Sequence, residues 1–166
     1  MALSTEAEIL IAGVGHPLMG DDALGLEVIR ELEAENLTEQ VRLFYAGASP
    51  LDILGELAGI QKLIVIDAVT GVAPGEIIKK RCALNHSDIP INEVETHGIS
   101  LVQTLRLAQE LHPGIVIVLI GAGIEPAAAP GKPLHHALRR LIPELIGIIK
   151  DEIAASLLYQ LTEELI

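Results

Sequence analysis

The stretch Ile9-Leu10-Ile11-Ala12-Gly13-Val14-Gly15-His16-Pro17-Leu18-Met19-Gly20-Asp21-Asp22-Ala23-Leu24-Gly25 runs from an apolar segment, through a glycine-rich loop, to a pair of acids and the start of an amphipathic segment. Residues 9–14 carry no polar side chain, which predicts a strand covered on both faces, as in a parallel sheet. Residues 23–35 place Leu24, Val28 and Leu32 at four-residue spacing with Glu and Arg between them, so a helix follows, with Asp21 and Asp22 at its N-terminal end. Strand, glycine loop and helix make the first half of a crossover unit that returns to a neighbouring parallel strand.

The pattern recurs along the chain. Residues 63–66 and 115–120 are further Ile- and Val-rich runs, residues 41–46 form a weaker strand, and residues 76–81 read as an edge strand whose lysines and arginine can face water. Residues 101–111 repeat the helical stripe, and Ser100 with Gln103 has the spacing of a capping box. Residues 50–58 suggest a shorter helix. The C-terminal stretch from Pro133 is helical in pattern, with Pro143 expected to end one helix and start the next, because proline suits a first turn and not an interior. The expectation is an α/β fold: a single three-layer α/β/α domain over residues 1–166, with about five strands in a mainly parallel twisted sheet and one antiparallel edge strand.

The chain has 166 residues, half of them hydrophobic but only 2% aromatic, so the core must be aliphatic. A net charge of -12 opposes the positive field that phosphate backbones and anionic lipid surfaces require, which argues against nucleic acid or membrane partners. Cys82 is the one cysteine, so no intrachain disulfide can form and a reducing compartment fits. Glu6 and Glu8 stand where a secretory signal carries Lys or Arg, and the apolar runs are too short to span a bilayer. A cytoplasmic location is expected.

Open α/β sheets bind ligands beyond the carboxyl ends of their strands. There the first loop delivers Asp21 and Asp22, the run 63–66 ends in Asp67, and His97 lies in a loop just before the capped helix. Two carboxylates and one imidazole suit an open site for a borderline divalent metal such as nickel or zinc. Equally, Asp22 could favour the helix N-terminus, Asp67 could cap a turn, and His97 could stay solvated. Dinucleotide binding is disfavoured, since Leu18 stands where the third fingerprint glycine belongs and Tyr45-Ala46-Gly47 brings no ribose-binding acid. A phospho-acceptor receiver-like signalling domain using Asp67 is the alternative from another class, but Gly121-Ala122-Gly123 stands where such domains close the last strand with lysine.

The remaining reactive side chains fit bland roles. Cys82 with His86 could suggest a thiol nucleophile, yet a single buried cysteine is usually an inert core residue. His135 and His136 are adjacent on a helix and should diverge by about 100°. His112 reads as a helix-terminal residue, and His16 sits in the glycine loop, within reach of the site.

Residues 13–25 resemble the N-terminal signature of the hydrogenase maturation proteases, Val65-Ile66-Asp67-Ala68 their second block, Thr96-His97-Gly98-Ile99-Ser100-Leu101 their third, and Gly121-Ala122-Gly123-Ile124-Glu125-Pro126 a fourth. Order and spacing agree over nearly the whole chain. The resemblance implies a five-stranded twisted sheet between helices and an endopeptidase that removes the C-terminal extension of a nickel-loaded hydrogenase large-subunit precursor. It also implies that Asp22, Asp67 and His97 form the catalytic and metal-contacting set, with the contact on the second acid of the pair and not on Asp21. The nickel comes with the precursor, and no organic cofactor is implied. Departures are local: His16 stands where Asn is common, Ala23 where Gly is common, and residues 127–134 lack the expected Leu-Ser-Pro. Specificity would then lie in loops such as 84–95 and 125–133.

Overall fold

Successive strand residues point to opposite faces, so an unbroken apolar run is stable only where both faces are covered. The chain meets that demand in a computed structural model, which describes residues 8–82, 100–125 and 130–163. Its strands are β1 (Ile9–Val14), β2 (Val41–Gly47), β3 (Lys62–Val69), β4 (Ile77–Cys82) and β5 (Val116–Gly123), in the sheet order β2-β1-β3-β5-β4. All neighbours are parallel except β4, which runs antiparallel to β5 at the edge. The edge strand exposes Lys79, Lys80 and Arg81, as its sequence suggests.

Alternate residues of the central strands feed two separate cores. Ile9, Ile11, Ile64, Ile66, Val118 and Ile120 face α1 (Leu24–Glu33) and α3 (His136–Glu163). Leu10, Ala12, Leu63, Val65, Ile117 and Leu119 face α2 (Leu101–Leu111) and a 3-10 segment, Pro50–Glu56. The layers are therefore helix, sheet, helix. Each large aliphatic side chain buried this way contributes about 1.5–3 kcal/mol. Ser100 and Gln103 form the capping box that starts α2, with Gln103 N–H donating to Ser100 Oγ and Ser100 N–H to Gln103 Oε1. His112 closes α2 as its C-cap.

The shorter helix expected over residues 50–58 is present as a 3-10 segment, Pro50–Glu56, while three other local expectations are corrected. Helix α3 begins at His136, not at Pro133, and runs through Pro143 without a break. An interior proline costs about 3 kcal/mol, but Leu138, Ile142, Leu145, Ile146, Ile149 and Ile153 form one buried stripe that spans it. Several such burials outweigh one lost hydrogen bond, and Pro143 lies on the exposed face, where water can reach the freed carbonyl. His135 precedes α3 instead of lying on it: its Nδ1 accepts the N–H of Ala137, and its ring lies 4.3 Å from that of His136, so the two rings meet rather than diverge.

Helix α3 is also fastened by charge at the end of the sheet away from the strand carboxyl termini. Glu152 takes Lys62 from β3 and Lys79 from β4, and Lys62 Nζ donates to Ser156 Oγ at 2.8 Å. Burial pulls the Glu152 carboxyl upward, but the two lysines win and hold it below the usual glutamate range. A depressed folded value means that this contribution is present above the unfolded value and lost as pH falls through the folded one. Glu152→Gln should therefore lower unfolding free energy at pH 7 by about 1–2 kcal/mol, between what exposed and fully buried pairs contribute, because solvent screens these partly exposed groups. Denaturant titrations should show the gap closing below about pH 4; a gap independent of pH would mean that packing, not charge, fastens the helix.

Candidate functional site

The glycine loop after β1 turns back so tightly that its two ends touch. Gly15 has φ +132, and a Cβ placed there would lie 1.9 Å from the carbonyl oxygen of Asp22. Ten residues further on, Gly25 seats α1 directly on the strand ends: a Cβ at that position would meet Val14 O at 2.3 Å and Ile66 O at 2.8 Å. Only glycine allows both approaches. Their joint effect is to bring the acids before α1 to the carboxyl ends of β1 and β3, which pair with Gly13 beside Ile66.

Asp21 and Asp22 occupy a 3-10 turn, Gly20–Ala23, and point to different tasks. Asp21 Oδ1 accepts the N–H of His135 at 2.8 Å, tying the loop to the start of α3. Asp22 Oδ2 accepts the main-chain N–H of His16 at 2.7 Å. The imidazole of His16 is engaged in its own loop, where Nδ1 accepts the N–H of Leu18 at 3.1 Å. What His16 gives to Asp22 is thus its backbone, not its ring.

Asp67 stands one residue past the buried run of β3, opposite Gly121 of β5. Its Oδ1 accepts the N–H of Ala68 at 2.8 Å. Burial pushes its carboxyl well above the ordinary aspartate range, and the negative charge of Asp22 pushes it further, against the weaker pull of the Ala68 N–H. A half-buried carboxyl beside a second carboxylate favours either a retained proton or a bound cation. Asp22 and Asp67 are thus brought to one place, whereas Asp21 is turned to a structural role. His97 and loop 84–95 lie outside the described residues, as does part of loop 125–133. Among the described residues, no group of three or more His, Cys, Asp or Glu side chains could hold a metal, so the carboxylate pair is the part of the expected set whose geometry is seen.

Sequence reasoning missed one member of this neighbourhood. Tyr45, near the end of β2, donates from its hydroxyl to the carbonyl oxygen of Gly15 at 2.6 Å. The only signal was a tyrosine at the same sheet edge as the acids. Cys82, by contrast, is buried at the end of β4, and burial raises its thiol despite a hydrogen bond from the backbone of Leu119, which suits a core residue and not a nucleophile.

Comparison with known proteins converges on one family. The sequence profile of the hydrogenase maturation proteases matches residues 26–152. A protein of Methanocaldococcus jannaschii assigned as a hydrogenase maturation protease is 36% identical over 154 residues, covering 88% of this chain and 96% of its own. The solved structure of the NiFe hydrogenase maturation protease HycI from Thermococcus kodakarensis is similar at 26% identity and a TM-score of 0.71, covering 87% of this chain and 91% of its own. The hydrogenase maturating endopeptidase HybD from Escherichia coli shares the fold, with a TM-score of 0.75 at 23% identity over 90% of this chain and 93% of its own.

Proposed function

Because the chain belongs to the hydrogenase maturation protease family and is a peptidase, we propose that it cuts the C-terminal extension from a nickel-loaded hydrogenase large-subunit precursor in the cytoplasm. Family membership favours this over a phospho-acceptor role for Asp67. Among the described residues no helix is long and apolar enough to cross a membrane.

The observation that supports the reading is the pair Asp22 and Asp67, two carboxylates in mutual repulsion at the carboxyl edge of the sheet. A divalent cation relieves that repulsion. The precursor brings the nickel, and Asp22, Asp67 and His97 supply oxygen and nitrogen ligands that a borderline cation accepts. Anchored in this way, the precursor's scissile peptide is positioned for attack by water on its carbonyl carbon, with the C–N bond breaking and a proton passing to the leaving amine. A carboxylate of the pair acting as general base toward that water is the route that needs no direct metal attack.

The test is to incubate the protein with a nickel-loaded large-subunit precursor and follow the large subunit by mass. One cut near the C-terminus is expected. His97→Ala should abolish it, while Cys82→Ser should process like wild type and His16→Ala should lose far less, since the N–H that reaches Asp22 is main-chain and survives that change. No change of mass, or loss of cleavage in Cys82→Ser, would overturn the reading.

A further inference from the structure

The peptide group between Gly15 and His16 is engaged on both sides. Its carbonyl oxygen accepts from Tyr45 Oη at 2.6 Å, and its N–H donates to Asp22 Oδ2 at 2.7 Å. Hydroxyl, peptide and carboxylate form one directed chain that ends on Asp22. Hydrogen bonds in series polarise one another, so a donor on the carbonyl makes the N–H of the same peptide a stronger donor.

The rest of the neighbourhood holds the chain in register. Tyr45 pairs with Gly13 across β1 and β2, and the register shift that follows leaves Gly15 N–H donating to Gly47 O at 2.9 Å. Strand β2 therefore grips Gly15 at both its N–H and its C=O. Burial and the charge of Asp22 raise the Tyr45 phenol, with Arg30 opposing, so the hydroxyl is a protonated donor at neutral pH. Gly15 in turn lies against the backbone of Asp22. The side chain and main chain of Asp22 are both located by a loop that Tyr45 clamps.

We infer that Tyr45 is a positioning residue: acting through the Gly15–His16 peptide, its hydroxyl fixes the Asp22 carboxylate in the orientation that receives the substrate's nickel. The inference rests on Asp22 being a nickel ligand, as proposed above.

Tyr45→Phe keeps the ring and removes only the hydroxyl. Wild type, Tyr45→Phe, Asp22→Asn and the double variant are each titrated with Ni2+ alone, melted, and assayed on nickel-loaded precursor. Tyr45→Phe should weaken Ni2+ binding and slow processing by about five- to tenfold, the scale of one hydrogen bond, with its melting temperature near that of wild type. In the Asp22→Asn background the same change should have no further effect on Ni2+ binding, because the chain then ends on a group that no longer carries the charge. Losses that add in the double variant would show a general structural role and overturn the inference. So would wild-type Ni2+ binding by Tyr45→Phe when Asp22→Asn has lost it. If Asp22→Asn itself binds Ni2+ and processes precursor like wild type, the nickel-ligand reading falls and the role of Tyr45 falls with it.

Discussion

Asp67→Asn should cut precursor processing by roughly two to three orders of magnitude while the melting temperature at pH 7 stays level or rises. The two halves of that result have one cause. Asparagine fills the same space and can still accept the Ala68 N–H, so packing and backbone are preserved. What disappears is a half-buried carboxyl whose charged form is opposed by both desolvation and the field of Asp22. Its folded pKa is raised, so the stability linked to this group is full below the ordinary aspartate range and is lost as pH rises through the raised value. Asparagine removes that loss. The melting curves of variant and wild type should therefore converge below about pH 4 and separate, if at all, in favour of the variant near neutrality. Function responds oppositely, because a neutral amide offers a cation one weak oxygen where a carboxylate offers charge. Mass spectrometry of the large subunit with time, beside thermal melts at two pH values, measures both. Full processing by the variant would remove Asp67 from the site.

Such a carboxylate is legible in sequence because the surrounding residues leave so few alternatives. An aspartate that directly follows Leu63-Ile64-Val65-Ile66 must sit toward the carboxyl end of a doubly covered strand, where an unpaired charge is costly. Strand β3 nevertheless runs two residues past it to Val69 and does not end at Asp67 as its sequence suggests. Four of the five strands were legible for the same reason, since runs of Ile and Val at sheet centre and a lysine-rich run at one edge have few other stable placements, whereas β2, at the other edge, gave only a weaker signal. Tyr45 was not legible. Its partner is the main-chain carbonyl of Gly15, thirty positions earlier, and a carbonyl has no letter in the sequence. Only the register of β1 against β2 brings the two together. Pro143 misled in the opposite direction, because a local rule about one missing hydrogen bond was set against a buried stripe on either side of it that only tertiary packing creates. Asp21 and Asp22 are adjacent and chemically alike, yet the 3-10 turn sends one to the N–H of His135 and the other to the N–H of His16. Spacing could not separate them, whereas turn geometry does.

A precursor purified from nickel-starved cells should resist cleavage even by excess enzyme, while the same precursor from nickel-fed cells should be cut once near its C-terminus. The two carboxylates seen here, with His97 as the proposed third ligand, leave coordination positions of a divalent ion unfilled, so the ion can be shared with groups from a second protein. An enzyme with its own tightly held catalytic metal would be complete before the substrate arrived and would not discriminate. In the metal-free protein, burial and Asp22 hold the Asp67 carboxyl toward its protonated form; the arriving cation displaces that proton and turns mutual repulsion into a shared contact. Discrimination then follows from positioning, since the nickel-free precursor presents the same peptide without the contact that aligns its carbonyl with the attacking water. Both precursors are mixed with this protein, and the mass of the large subunit is followed over time. Adding Ni2+ to the starved precursor in the absence of cells serves as the internal control, restoring cleavage only if the ion reaches the precursor's own site. Equal cleavage of the two starting precursors would sink nickel recognition and leave a metal-independent endopeptidase on the same fold.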